Sequence, residues 1–220
     1  MDFNQEAFNQ FVLESGVIGF GNFTLASGRK SYFYTNWRKI VADTWSRDKL
    51  TDYILSFAKD KKLEVDTFIG VPEGATLIGA FTQDKFAKQS ENYSKGSHVT
   101  SMARKTPKSH GDALDKYFIG KPQGKICVIE DVTTTANSLS KFLISLKKLN
   151  LNASDVITLT NRAQITKDGL SVKESLESKG YGFHEMSSAL EILPRVYKKL
   201  RESIEAEFKK YGIEKIVLDI

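Results

Sequence analysis

The stretch that decides the fold spans residues 126–138 and reads Ile-Cys-Val-Ile-Glu-Asp-Val-Thr-Thr-Thr-Ala-Asn-Ser. Four apolar residues lead into two adjacent carboxylates, Glu130 and Asp131, and then into a cluster of hydroxyl side chains. A helical pattern of apolar residues follows at once, at positions i, i+3, i+4 and i+7. Its members are Leu139, Phe142, Leu143 and Leu146. The stretch therefore predicts a buried strand, a short loop and the first turn of a helix.

The junction between this strand and this helix has the chemistry of a phosphate site. Backbone N–H groups at a helix start have no partner inside the helix, and the helix dipole there favours an anion. Small and hydroxyl-bearing residues let a phosphate approach and add donors. The carboxylates precede them at the carboxyl end of the strand, where open parallel sheets bind ligands. This combination suits a ribose phosphate, although acidic strand ends before a threonine cap also occur in α/β domains without such a site.

Length and composition favour one α/β domain. The chain has 220 residues, of which 40% are hydrophobic and 27% charged, enough for a sizeable core. No apolar run approaches the roughly 20 residues needed to span a bilayer, and the N-terminus lacks the pattern of a signal peptide. The single cysteine, Cys127, lies in the predicted buried strand. We therefore expect a core thiol, no internal disulfide, a cytoplasmic location and no membrane partner.

The charge balance points to a small anionic substrate. The formal charge of +5 permits nucleic-acid binding, but the lysines are scattered and form no long basic block. The three histidines lie far apart and have no cysteine partners, so metal-ligand spacing is absent. We expect no nucleic-acid partner and no metal held directly by side chains.

Two more segments carry candidate ligand chemistry. Residues 70–75, Gly-Val-Pro-Glu-Gly-Ala, join a strand predicted at 65–69 to a helix, which is again phosphate-binding geometry. Residues 104–112, Arg-Lys-Thr-Pro-Lys-Ser-His-Gly-Asp, hold three cations and a histidine. A solvated loop would explain this second segment. A loop with cations could instead close over a diphosphate leaving group and exclude water.

The remaining patterns predict the rest of the fold. Apolar spacing predicts helices over 2–16, 46–59 and 168–179, strands over 97–103, 156–160 and 181–186, and a hairpin over 23–40. Residues 19–24 begin like a dinucleotide fingerprint, but Thr24 takes the place of the third glycine and no strand precedes it. Pro194 is predicted to open the last helix, with Val196, Leu200, Ile204 and Phe208 facing inward. Alternating strands and helices predict an α/β fold with a central parallel sheet flanked by helices.

Several of these segments resemble the type I phosphoribosyltransferases. Residues 126–138 are similar to the family's signature for PRPP (5-phosphoribosyl 1-diphosphate). The hairpin, the loop with the pattern Arg-Lys-x-x-Lys-x-His-Gly, and Arg162 after a predicted strand resemble the orotate phosphoribosyltransferases in particular. The resemblance covers nearly the whole chain. It implies one domain over 1–220, with a hood at 1–40, a core at 46–220 and a mobile loop at about 104–122.

The resemblance also implies a reaction and roles for residues. Orotate and PRPP would give orotidine 5′-monophosphate and diphosphate in pyrimidine (UMP) biosynthesis, and the enzyme would be a homodimer whose loop residues act across the interface. Mg²⁺ would be held mainly by PRPP, near Glu130 and Asp131. The expected catalytic residues are Lys108, His110, Glu130 and Asp131. The expected PRPP contacts are these four with Glu73, Gly74, Arg104, Lys105, Val132, Thr133, Thr134, Thr135, Ala136, Asn137 and Ser138. The expected orotate contacts are Tyr34, Thr35, Thr134 and Arg162.

The chain departs from the family pattern at three places. Ala26 stands where many members have a lysine, Glu73-Gly74 stand where many have Tyr-Lys, and Ala136 stands where a glycine is usual. Alanine fits at residue 136 only if its φ is negative or mildly strained. Two other functions stay open at this point. One is a phosphoribosyltransferase for another base, and the other is a non-catalytic regulator that binds PRPP or RNA.

Overall fold

The computed structural model describes residues 2–25, 28–112 and 114–210, with the backbone alone for residues 200, 201 and 203–210. The helices are α1 (Gln5–Glu14), α2 (Arg38–Ala42), α3 (Thr44–Asp60), α4 (Thr76–Gln89), α5 (Asn137–Lys148), α6 (Val172–Glu177) and α7 (Ala189–Lys210). The strands are β1 (Ile18–Thr24), β2 (Lys30–Thr35), β3 (Thr67–Gly70), β4 (Met102–Ala103), β5 (Phe118–Ile119), β6 (Ile126–Thr133), β7 (Ala153–Asn161) and β8 (Gly182–Glu185).

A four-stranded parallel sheet forms the centre, in the order β3-β6-β7-β8. Helices cover both of its faces, because successive side chains of a strand point to opposite sides. In β6, Cys127 and Ile129 belong to the core that also contains buried residues of α1 and α3. Ile126 and Val128 belong to the opposite core, with residues of α5 and α6. This arrangement confirms the predicted fold class.

The strand and helix predicted around residues 126–146 form as expected. The four apolar residues of the predicted helical pattern are the buried residues of α5: Leu139, Phe142, Leu143 and Leu146. Burying each of these side chains stabilises the fold by roughly 1.5–3 kcal/mol. Cys127 is fully buried, and burial raises the pKa of its thiol well above the usual range. It is therefore an inert core residue.

The N-terminal helix and hairpin lie at the carboxyl end of the sheet. The rings of Phe8, in α1, and Trp37 are stacked with centroids 6.1 Å apart. The indole N–H of Trp37 donates to Thr160 Oγ1 near the end of β7, at 3.0 Å. The hairpin pairs β1 with β2 and starts earlier than predicted, because the glycine-containing residues 18–24 form a strand. Ala26 lies outside the described residues.

Three predicted elements differ from the structure. The strand predicted at 97–103 is limited to β4, which pairs antiparallel with β5 in a separate two-stranded sheet. The helix predicted over 168–179 shortens to α6, because Ser171 and Glu174 form a capping box that fixes its start.

The prediction that Pro194 opens the last helix is wrong. The helix α7 begins at Ala189, where the Ser188 hydroxyl accepts a hydrogen bond from the backbone N–H of Leu190, and Pro194 lies inside it. Burial of Ile192, in the first turn of α7, holds this start. Val196 packs against the core as predicted. The predicted inward side chains of Leu200, Ile204 and Phe208 lie outside the described part of the chain.

Candidate active site

The strand β6 contains the paired carboxylates near its carboxyl end, as predicted, and continues to Thr133. Glu130 pairs in register with Thr158, and Thr133 with Asn161 at the end of β7. The loop is therefore only the turn at 134–136, and α5 starts directly after it. Pairing with β7 holds both carboxylates on rigid backbone beside the helix start.

Glu130 is a buried carboxylate with an unused acceptor. Its side chain is 6% exposed, and Oε1 accepts a hydrogen bond from the Ser138 hydroxyl at 3.2 Å. Within the described residues, Oε2 has no hydrogen-bond partner. Burial and the neighbouring charge of Asp131 raise the pKa of Glu130 to about 8. A buried acceptor of this kind normally has a donor, and a ribose hydroxyl could supply one.

Asp131 faces the turn between β3 and α4. Burial raises its pKa, while a hydrogen bond from the backbone N–H of Val132 and the charge of Arg38 act in the opposite direction. A Cβ atom at Gly74 would overlap the Asp131 carboxylate. A longer residue at this position would therefore push the carboxylate aside. Sequence reasoning missed Arg38, since only the tertiary fold brings α2 to this carboxylate.

The start of α5 is open to an anion. Ala136 caps the helix in the left-handed conformation, with φ of 55° and ψ of 21°, and makes no side-chain cap hydrogen bond. Alanine therefore occupies this position with strain, of roughly 1–2 kcal/mol. Thr134 and Val132 are half-buried, Thr135 is buried, and Asn137 and Ser138 are exposed.

Thr133 differs from the other hydroxyl residues of the turn. Its hydroxyl donates to Thr158 Oγ1 at 2.8 Å, and its carbonyl accepts from the backbone N–H of Arg162 at 2.9 Å. These polar groups are used within the sheet and not at the helix start.

The predicted cationic loop is a flap, described over residues 104–112 and 114–117, that rises from the β4–β5 pair. Its base is held by the hydrogen bond from Arg104 N–H to the Tyr117 carbonyl, at 2.7 Å. Lys105 Nζ lies 2.9 Å from Glu73 Oε2, so the flap reaches the turn between β3 and α4. Lys108 and His110 are exposed further along the flap.

Arg162 ties the hairpin to the end of β7. Its side chain is buried, and it donates from Nη2 to Ser31 Oγ at 2.7 Å and from Nη1 to the Phe33 carbonyl at 3.3 Å. The guanidinium carbon lies 3.8 Å from the centre of the Phe33 ring. Burial lowers the pKa of Arg162. Its Nε–H has no partner among the described residues, so this donor is open to a ligand.

The two predicted hairpin contacts, Tyr34 and Thr35, directly follow Phe33, which contacts Arg162. Tyr34 is half-buried, and its ring centre is 5.4 Å from that of Phe23. Thr35 is 4% exposed, and its hydroxyl has no partner within the described residues. Aromatic and polar groups therefore occur together under the hairpin.

A metal ion at this site would lie beside the paired carboxylates. In residues 2–25, 28–112 and 114–210, no group of three or more His, Cys, Asp or Glu side chains could hold a metal ion. The adjacent Glu130 and Asp131 do fit Mg²⁺, which takes one or two carboxylates together with substrate phosphates. In the same described ranges, no helix has the length and apolar character to cross a membrane.

Comparison with known proteins gives consistent matches in sequence and structure. No protein-family model matches the chain. The orotate phosphoribosyltransferase of Rhodopseudomonas palustris (strain TIE-1) is 32% identical over 189 residues, covering 83% of this chain and 92% of the relative. That of Thermococcus gammatolerans is 28% identical over 184 residues, covering 84% and 89%.

The solved structures agree on the fold. The orotate phosphoribosyltransferase from Aeropyrum pernix has a TM-score of 0.63 at 21% identity, over 88% of this chain and 99% of that one. The enzyme of the same name from Francisella tularensis has a TM-score of 0.65 at 22% identity, over 93% and 96%. The paired carboxylates, the open helix start and the cationic flap thus lie on a fold that these proteins share.

Proposed function

The chain belongs to the orotate phosphoribosyltransferase family, and on that premise we propose that it transfers the ribose 5-phosphate of PRPP to orotate. The bond between C1 of the ribose and the diphosphate oxygen breaks, C1 bonds to a ring nitrogen of orotate, and the proton of that nitrogen passes to the diphosphate or to water. The products are orotidine 5′-monophosphate and diphosphate. The barrier is the departure of diphosphate while positive charge builds on the ribose ring.

The observation that carries this proposal is the unpartnered carboxylate oxygen of Glu130 beside the uncapped start of α5. Glu130 and Asp131 would accept hydrogen bonds from the ribose hydroxyls, and when ionised their negative charge would favour the cationic ring. The free N–H groups at the start of α5 and the hydroxyls of the turn would hold the 5′-phosphate.

Cations are needed where the diphosphate departs. The flap carries Arg104, Lys105, Lys108 and His110, which would neutralise the charge on the leaving group. Mg²⁺ bound to PRPP would add Lewis-acid neutralisation of the diphosphate. Glu130 and Asp131 are the residues that could lie beside it. No side chain needs to act as a covalent nucleophile.

Orotate would bind under the hairpin. The unpartnered Nε of Arg162 could donate to the orotate carboxylate, a charge-assisted contact. Tyr34 offers an aromatic surface for the planar ring, and the free hydroxyls of Thr35 and Thr134 offer polar contacts. Arg162 supports orotate over a base that has no carboxylate.

A homodimer and a cytoplasmic location complete the proposal. Two apolar side chains of α4 are unusually open: Leu77 is 51% exposed and Phe81 is 37% exposed, next to the guanidinium of Arg47. A second copy that covers them would lie beside the turn of Glu73, which supports a dimer. A single buried cysteine supports a reducing compartment. Ultracentrifugation should show a dimer that Phe81→Glu weakens.

The direct test is diphosphate release on mixing the protein with PRPP, Mg²⁺ and a base. Orotate should support turnover, whereas uracil, hypoxanthine and adenine should not. Chelation of Mg²⁺ by EDTA should stop the reaction, and added Mg²⁺ should restore it. Turnover with a purine alone would refute the choice of base. RNA binding without diphosphate release would favour a non-catalytic regulator.

A further inference from the structure

The turn between β3 and α4 lacks a cation of its own. Residues 71–75 read Val-Pro-Glu-Gly-Ala, and the only charged side chain among them is the carboxylate of Glu73. A Cβ atom at Gly74 would overlap the Asp131 carboxylate, so a longer residue there would have to displace that side chain. A turn that is to face a diphosphate must therefore obtain its positive charge from another part of the chain.

The flap brings a cation to this turn. Lys105 Nζ lies 2.9 Å from Glu73 Oε2, and the two side chains are 68% and 66% exposed. A lysine ammonium carries three donors. One hydrogen bond to Glu73 leaves two donors for ligand oxygens, so the ammonium is held at the edge of the turn and remains available to an anion.

We propose that Glu73 is a positioning residue that holds Lys105 at the turn and so supplies the diphosphate of PRPP with the cation that the turn lacks. The inference rests on the proposed function, since it takes the diphosphate to lie at this turn. Glu73 acts only through Lys105. Its carboxylate would otherwise be an unfavourable charge beside a highly charged anion.

Repulsion of the diphosphate by Glu73 and positioning of Lys105 by Glu73 would change PRPP affinity in opposite directions, which makes the proposal testable. If Glu73 merely repels the diphosphate, Glu73→Gln removes the repulsion and tightens binding. If Glu73 positions Lys105, the same substitution releases the ammonium and weakens binding. An exposed ion pair supports an effect of about two- to fivefold at low salt, and it should shrink as salt increases.

The experiment measures the dissociation constants of PRPP and of inorganic diphosphate by calorimetry, with Mg²⁺ and at low salt. Glu73→Gln should weaken both by about two- to fivefold. The KM for PRPP should rise by a similar factor, while kcat changes less and the KM for orotate stays constant. In a Lys105→Gln background, Glu73→Gln should weaken binding no further, because the ammonium that it positions is gone.

A matched control separates this effect from general loss of an exposed ion pair. Asp84→Asn breaks the exposed pair of Asp84 and Lys88 on α4, at 2.7 Å, and should leave both dissociation constants unchanged. Binding of Glu73→Gln as tight as wild type or tighter would overturn the proposal, as would equal weakening in the Lys105→Gln background. A wild-type protein that binds no PRPP would instead refute the proposed function itself.

Discussion

Replacing Glu130 with glutamine should stabilise the ligand-free protein at alkaline pH and at the same time abolish turnover. The pKa of this buried carboxyl is about 8, against 4.5 for an exposed one. Between these values the folded protein keeps a proton that the unfolded chain has released, so the free energy of unfolding falls as the pH rises. At full ionisation the cost is at most about 5 kcal/mol. Glutamine cannot ionise and avoids this cost.

The assay is urea unfolding of wild type and Glu130→Gln at pH 5 and pH 8.5, without ligand. The stability advantage of the variant should grow by about 3–5 kcal/mol between the two pH values, since titrations common to both proteins cancel. Turnover at pH 8.5, where the wild-type carboxyl is ionised, should fall by at least about 100-fold, because the variant lacks its negative charge beside the cationic ring. Glu91→Gln, at an exposed position, is the control, and its difference from wild type should be the same at both pH values. A constant difference for Glu130→Gln as well would refute the reasoning.

Three further outcomes follow from the site. Lys108→Ala and His110→Ala should each lower turnover by about 100-fold, because each removes a group that faces the leaving diphosphate. Their melting temperatures should stay within about 2 °C of wild type, because both side chains are exposed. Parallel losses of activity and stability would contradict this prediction. Ala136→Gly should raise the free energy of unfolding by about 1 kcal/mol, since glycine adopts φ of 55° without strain, and urea unfolding measures it. Arg162→Lys should lower the free energy of unfolding by about 1–3 kcal/mol, because the forked contacts to the hairpin are lost. The same substitution should raise the KM for orotate more than the KM for PRPP. Steady-state kinetics that show equal changes in both KM values would argue against a base contact.

Patterns within short windows predicted the elements well. The strand and helix of residues 126–148 formed as expected, because side-chain burial on one face of a strand or helix repeats at a fixed local period. The errors occurred where contacts with other segments decide the bounds of an element. The predicted strand at 97–103 kept only the two residues that pair with β5. Pro194 lies inside α7 and does not open it, because a cap at Ser188 and burial of Ile192 set the helix start.

The sequence by itself determined the fold class and the kinds of groups at the site: two carboxylates at a strand end, hydroxyls at a helix start and cations in a loop. Only the tertiary structure decided how these groups behave. It buried Glu130 and raised its pKa, and it joined Lys105 to Glu73. It also used Arg162 to hold the hairpin. These properties depend on distances between segments far apart in the chain, and on the water excluded between them, which no local spacing of residues encodes.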